Sequence, residues 1–174
     1  LLSQSMELKI REKPFSVYLK FLEPHTGREV IYVEGANQGK FLVHEEGVKA
    51  LAGTVALSPT SADAMAENKY PVTRLGMRNL VDAIIDQWEE AAKVDHDNKV
   101  KFFPKAKLGD VQCTAIEVSH AEPQPEFKFK LTRLFIDKDS KLPVRVEQDG
   151  WPTQAGQDPP LVEEYTYSKV KVNV

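Results

Sequence analysis

The chain has 174 residues, 41% hydrophobic and 28% charged, with 9 Gly and 11 Pro, the composition of an ordinary globular protein rather than a disordered or fibrous one. Its 23 Lys and Arg against 26 Asp and Glu give a formal charge of −3, so no net basic field exists to hold a phosphate backbone and no nucleic-acid partner is expected. No stretch approaches the roughly 18–20 consecutive apolar residues of a membrane-spanning helix, and the single cysteine, Cys113, allows neither an internal disulfide nor a cysteine-built metal site.

The chain opens at Leu1 without a methionine, and the expectation is that a targeting segment or N-terminal element once preceded it. Apolar residues then recur at every second position between turn formers, which fits strands. Met6, Leu8 and Ile10 alternate with Glu7, Lys9 and Arg11. After Lys13-Pro14, Phe15, Val17, Leu19 and Phe21 share one face of the clearest strand, with Ser16, Tyr18 and Lys20 on the other. Glu23-Pro24-His25-Thr26-Gly27 reads as a turn, Arg28 to Glu34 as the returning strand, Gly35 to Gly39 as a second turn and Lys40 to Glu45 as a third strand, an antiparallel meander.

Near Ser58 the texture changes. Pro59, Pro71 and Gly76 interrupt a polar stretch that holds a short helical candidate, Ala62 to Asn68. From Met77 to Lys93, Met77, Leu80, Val81, Ile84, Ile85 and Trp88 form one stripe on a 3.6-residue period, with Thr73 as the predicted N-cap. Strands return at Lys99 to Phe103, Val111 to Ser119, Phe127 to Asp137, Leu142 to Gln148 and Val162 to Val174. Asp137-Lys138-Asp139-Ser140 is a tight-turn signature, and Asp149 to Pro160 a longer hairpin loop. About nine strands and one helix predict an α+β domain with a large antiparallel sheet that twists and curls, its inner face covered by the amphipathic helix.

Chemistry-bearing residues are scattered. His25 and His120 lie beside turns and are expected at the surface, and His44 sits on a strand. Asp95-His96-Asp97 is the densest group of potential ligands, but it falls in a charged run that normally faces water, so no metal is expected there. Cys113 points with Val111 and Ala115 along an alternating strand and reads as a small buried hydrophobe. No nucleophile elbow, Ser-x-x-Lys or phosphate-cradling glycine loop is present, so no catalytic residue and no cofactor are assigned. What stands out is apolar and aromatic sheet surface, which either fills a core or lines a cavity suited to an acyl chain.

Leu8 to Tyr18 followed by Glu23 to Gly35 resembles a family of uncharacterised bacterial envelope proteins best represented in planctomycetes. The order of elements is similar to the LolA/LolB lipoprotein-carrier superfamily, which includes RseB. A basic strand ending near a proline, an aromatic strand, a turn and a strand closing in an acidic residue match Lys9 to Pro14, Phe15 to Phe21 and Arg28 to Gly35, with a short strand at Lys40 to His44. The stretch Leu134 to Pro143 and the ending Glu164 to Asn173 look like that superfamily's ending as well.

The resemblance implies a single LolA-like domain over residues 1–174 seen without its N-terminal helix, a curved antiparallel sheet forming an incomplete barrel with a helix plugging its concave face, periplasmic or exported, that holds a lipid or lipoprotein acyl chain. The expected apolar groove between sheet and helix is lined by Val17, Leu19, Phe21, Tyr32, Phe41, Leu80, Ile84, Trp88, Phe129 and Leu131. Carriers hold their lid loops with an arginine before the proline; Arg11 takes that role here, favoured over Lys13 because its planar fork can hold two carbonyls. One rival is a protein-interaction or sensor module with a filled core, meeting an envelope-protein partner through the sheet's exposed edge or through the Asp149 to Pro160 loop with Trp151 as an exposed anchor. The other is an enzyme built on His44 or His96 with neighbouring carboxylates.

Overall fold

The computed structural model describes residues 2–94, 99–154 and 156–172, and the chain forms two compact units, Leu1–Leu80 and Val81–Val174. The α+β class with antiparallel sheets read from the sequence is what the structure has. Its hydrogen bonding organises the strands as two five-stranded sheets, each in chain order.

The first unit holds β1 (Ser5–Arg11), β2 (Ser16–Glu23), β3 (Glu29–Val33), β4 (Phe41–His44) and β5 (Thr54–Leu57). Register puts Val17 opposite Tyr32 and Leu19 opposite Val30, so the alternation of β2 is matched side chain for side chain by β3. Val17, Leu19, Phe21, Val30, Tyr32 and Phe41 pack into one buried cluster, flanked by Met6, Leu8, Phe15 and Val43. The β2–β3 turn depends on Gly27, whose φ of +82° is the left-handed conformation that costs a residue without a Cβ least. The sequence reading missed β5. Four residues after a 3-10 turn are too few to show a period, and the strand exists because β4 pairs with it, Val43 opposite Val55.

A short helix α1 (Ala62–Met65) is capped by the Ser61 hydroxyl, which accepts from the Ala64 N–H at 3.4 Å. The main helix α2 (Met77–Val94) falls where the stripe predicts. Thr73 is not its N-cap: it lies inside a 3-10 turn, Val72–Arg74, because the chain needs Gly76, at φ +107°, before it can enter the helix.

The second unit carries β6 (Lys99–Leu108), β7 (Val111–Ser119), β8 (Leu131–Asp137), β9 (Pro143–Asp149) and β10 (Leu161–Thr166). β6 runs past Phe103, the expected end of the strand, since a register slip between Phe103 and Ala106 absorbs Pro104. β8 starts later than expected, at Leu131, and β10 stops at Thr166; residues 173–174 of the predicted last strand lie outside the described residues.

Alternation gives this sheet two distinct faces. Val118, Leu134, Val144 and Val146 are buried on one, where Gln148 donates to the Gln87 amide oxygen of α2 at 3.4 Å. Ile84 and Ala91 are the buried residues of the helix, at the spacing that shares a face with Gln87. The opposite face carries Ala115, Glu117, Arg133, Phe135, Arg145 and Glu147.

Truncating Leu19, 5% exposed at the centre of the first cluster, to alanine is expected to cost about 2–5 kcal/mol. Urea unfolding of Leu19→Ala should show a lower midpoint with an unchanged slope, and an unaltered midpoint would refute the placement of this core.

Candidate functional site: an apolar hollow beside a charge ladder

One charged row crosses all five strands of the second sheet. Glu117 and Arg133 are paired in register on β7 and β8, as are Arg133 and Glu147 on β8 and β9. Arg133 donates from Nε and Nη2 to Glu117 Oε2 at 3.0 and 2.9 Å, and from Nη1 to Glu147 Oε2 at 2.7 Å. Lys101 Nζ reaches Glu117 Oε1 at 3.2 Å, while Arg145 donates to Glu147 Oε1 and Glu164 Oε2, both at 2.7 Å. Three cations and three carboxylates alternate, and each is answered by a neighbour.

Burial pushes the Glu117 carboxyl up, but the hydrogen bonds from Arg133 and Lys101 outweigh it and hold the group below the usual carboxylate range. Burial likewise disfavours the charged form of Arg133, and its bonds to Glu117 and Glu147 reverse the effect and raise it. Asp149, on the same face, is raised by burial; the charge of Arg133 opposes that and the charge of Glu147 reinforces it.

Next to the ladder the same face opens into a hollow of about 560 Å³, within the roughly 300–1,000 Å³ of small-molecule sites. Phe102, Phe103, Pro104, Ala106, Ala115 and Phe135 supply its apolar lining, with Lys105, Glu117 and Arg133 at its polar side. The geometry follows from register: Phe103, Ala115 and Phe135 stand side by side on β6, β7 and β8, and the small Ala115 between two rings leaves the depression. The bulge at Pro104 adds its own residues to the wall.

The residues expected to line a groove are placed differently. Val17, Leu19, Phe21, Tyr32 and Phe41 are packed against one another in the first unit's core. Leu80 is half-buried at the end of that unit, where its N–H donates to the Gly76 carbonyl at 3.0 Å. In the second unit Ile84 is 1% exposed and Trp88 half-buried on α2. Phe129 is buried just before β8, with Lys128 Nζ 4.9 Å from its ring centre. Leu131 does not join Ile84: its register with Ser119 and Asp149 puts it on the face away from Gln148 and the helix.

Arg11 is exposed, and its Nη2 donates to the Ser16 hydroxyl of its own hairpin at 3.1 Å. Trp151 is not an exposed anchor. It is half-buried, its indole N–H donates to the Phe127 carbonyl at 3.2 Å, and Lys130 Nζ sits 4.8 Å from its ring centre.

Among the histidines, His120 corrects the expectation of a surface position: it is 8% exposed and stacked on Phe127 at 4.0 Å, a pairing its neighbouring turn residues give no hint of. His25 is partly exposed and bonded to Glu67 Oε2 at 2.8 Å, and His44 is exposed, its Nδ1 3.4 Å from the Thr54 hydroxyl. Asp95-His96-Asp97 lies outside the described residues. Cys113 is fully buried beside Ala115, and burial pushes its thiol up.

Neither the ladder nor the hollow was found from the sequence. The ladder distributes its charges over five strands, so it exists only once register is known. A signal for the hollow was present in Lys99 to Lys107, where lysines alternate with Val and Phe up to a proline.

The family model described as a protein of unknown function, DUF1571, matches residues 2–174. The chain belongs to that family. No curated protein matches it in sequence at a significant level. Among solved structures it is similar to a Vibrio parahaemolyticus domain described as an outer membrane lipoprotein-sorting protein, at 11% identity and a TM-score of 0.35, covering 97% of this chain and 63% of that one. It therefore spans less than two thirds of that protein's length. A chain from the Clostridioides difficile complex of the CwlD amidase with the GerS lipoprotein is 14% identical at a TM-score of 0.38, with 97% of this chain and 84% of that one covered. A DUF1329 family protein from Desulfovibrio piger is 12% identical at 0.31, with 84% and 58% covered.

Because the folded-state pKa of Glu117 lies below its unfolded value, its contribution to stability is fully present above the ordinary carboxylate range and is lost as pH falls through the depressed folded value. Glu117→Gln is expected to cost on the order of 2 kcal/mol at neutral pH. The gap to wild type should close on acidification below the ordinary carboxylate range. Asp149 has the opposite sign, its raised pKa favouring the fold at low pH, and as it is present in both proteins it leaves the comparison intact. A pH-independent gap in denaturant melts would show that Glu117 is not titrating as part of the ladder.

Proposed function

We propose that this chain is a non-enzymatic, envelope-localised module that binds the acyl chain of a lipid or lipoprotein in the hollow over β6, β7 and β8. The observation that carries the reading is the apolar wall of Phe103, Pro104, Ala106, Ala115 and Phe135 set beside a ladder whose charges already satisfy one another. A ligand entering there meets no unpaired buried charge that calls for a polar partner, and each methylene it buries contributes about 0.8 kcal/mol. The envelope address rests on the likeness of the Leu8 to Gly35 hairpin to exported proteins. The hollow replaces the groove first expected, since the aromatic residues of β2, β3 and β4 are occupied in packing against one another.

Native mass spectrometry of gently purified protein should show a co-purified lipid mass, and the delipidated protein should bind a fluorescent fatty-acid analogue saturably at one site. Ala106→Phe, a half-buried position at the wall, is expected to weaken that binding tenfold or more with the melting temperature retained. Folded protein without saturable binding would refute the reading. Wild-type binding by Ala106→Phe together with loss in Ile84→Phe would move the acyl chain to α2.

A further inference from the structure

We propose that β6 is a docking edge for an anionic membrane surface. β6 is the terminal strand of its sheet, and seven of its ten residues, from Lys99 through Lys105, are exposed in succession. It carries Lys99, Lys101, Lys105 and Lys107 with no acidic residue among them, in a chain whose net charge is −3. Between the lysines lie Val100, 64% exposed, Phe102, 63%, and Phe103, 40%.

Lysines, a proline and a bulge are devices that keep an edge strand from pairing with another chain, and β6 has all of them. That purpose does not account for three large apolar side chains left in water on the same strand, which would promote association rather than prevent it. The combination fits the boundary of a bilayer, where ammonium groups meet lipid phosphates and aromatic and aliphatic side chains sink below them. A single-stranded nucleic acid fits less well, because Val100 offers no ring for a base to stack on.

This inference goes beyond acyl-chain binding, and Lys99, Val100 and Lys107, on which it also rests, lie outside the lining of the hollow. The two features share Phe102, Phe103 and Lys105, so the hollow opens on the strand that meets the lipid.

The test is co-sedimentation of the full chain with vesicles of phosphatidylcholine alone and of phosphatidylcholine mixed with phosphatidylglycerol. Binding is expected to the mixed vesicles only and to weaken with salt. Each lysine is worth about a fivefold change, so the triple variant Lys99→Gln, Lys105→Gln, Lys107→Gln should lose on the order of a hundredfold. Lys101 is left in place because it holds Glu117. Phe102→Ser should lose several-fold, and circular dichroism should show every variant folded, since all the changed positions are exposed. Ala106→Phe should keep vesicle binding, which separates this proposal from the acyl-chain reading. Equal or absent binding to the two vesicle types, or wild-type binding by the triple variant, would overturn it. So would displacement by soluble glycerol phosphate, which would indicate an isolated phosphate site, or by a single-stranded oligonucleotide, which would indicate a nucleic-acid surface.

Discussion

The second sheet turns on Arg133, whose guanidinium bridges carboxylates on the strands either side of it. Arginine suits the position because its planar fork gives Glu117 two donors and still has a third for Glu147. A register slip of one residue on β7 or β9 would move a carboxylate to the face that packs on α2, leaving charge among Val118, Leu134 and Val146. The ladder thus selects the register, and the register places Phe103, Ala115 and Phe135 abreast. Electrostatics fix the geometry of a site whose own character is apolar.

β6 has two roles for one physical reason. A terminal strand has one neighbour rather than two, so its side chains are covered by less of the protein and it keeps an exposed edge. On one face it gives Lys101 to the ladder and Phe103 to the wall of the hollow, and on the other Val100 and Phe102, paired with Val118 and Ile116, stand exposed. Pro104 serves both: lacking an N–H it is tolerated only where no ladder bond is needed, and the slip it accompanies widens the hollow.

The first unit is built on a different principle. Its sheet matches aromatic and β-branched residues across β2 and β3 into one continuous cluster, and polar groups of the same unit are tied to one another, as with Arg28 to Glu45 at 2.7 Å and His25 to Glu67. Such a cluster contributes stability through contact among its own side chains. In the loop before β8, His120 stacks on Phe127, whose carbonyl accepts a hydrogen bond from the Trp151 indole N–H, so a histidine and a tryptophan are spent on holding a turn.

Alternation of period two and a 3.6-residue stripe are local properties, and they placed the strands of the meander, the bounds of β7 and the long helix from the sequence. The buried state of Cys113 was equally legible, since it shares a face with Ala115, which is buried as well. What stayed hidden depends on partners distant in the chain. β5 is a strand only because β4 bonds to it, Leu131 faces away from the helix only because of its register with Ser119, and Trp151 is pinned by a carbonyl 24 residues away. The sequence by itself determined the strands of the meander, β7 and the long helix, and which side of each is apolar. Only the tertiary structure decided that the aromatic meander fills a core while the hollow lies over β6 to β8, because a cavity is a property of what neighbouring strands leave unfilled.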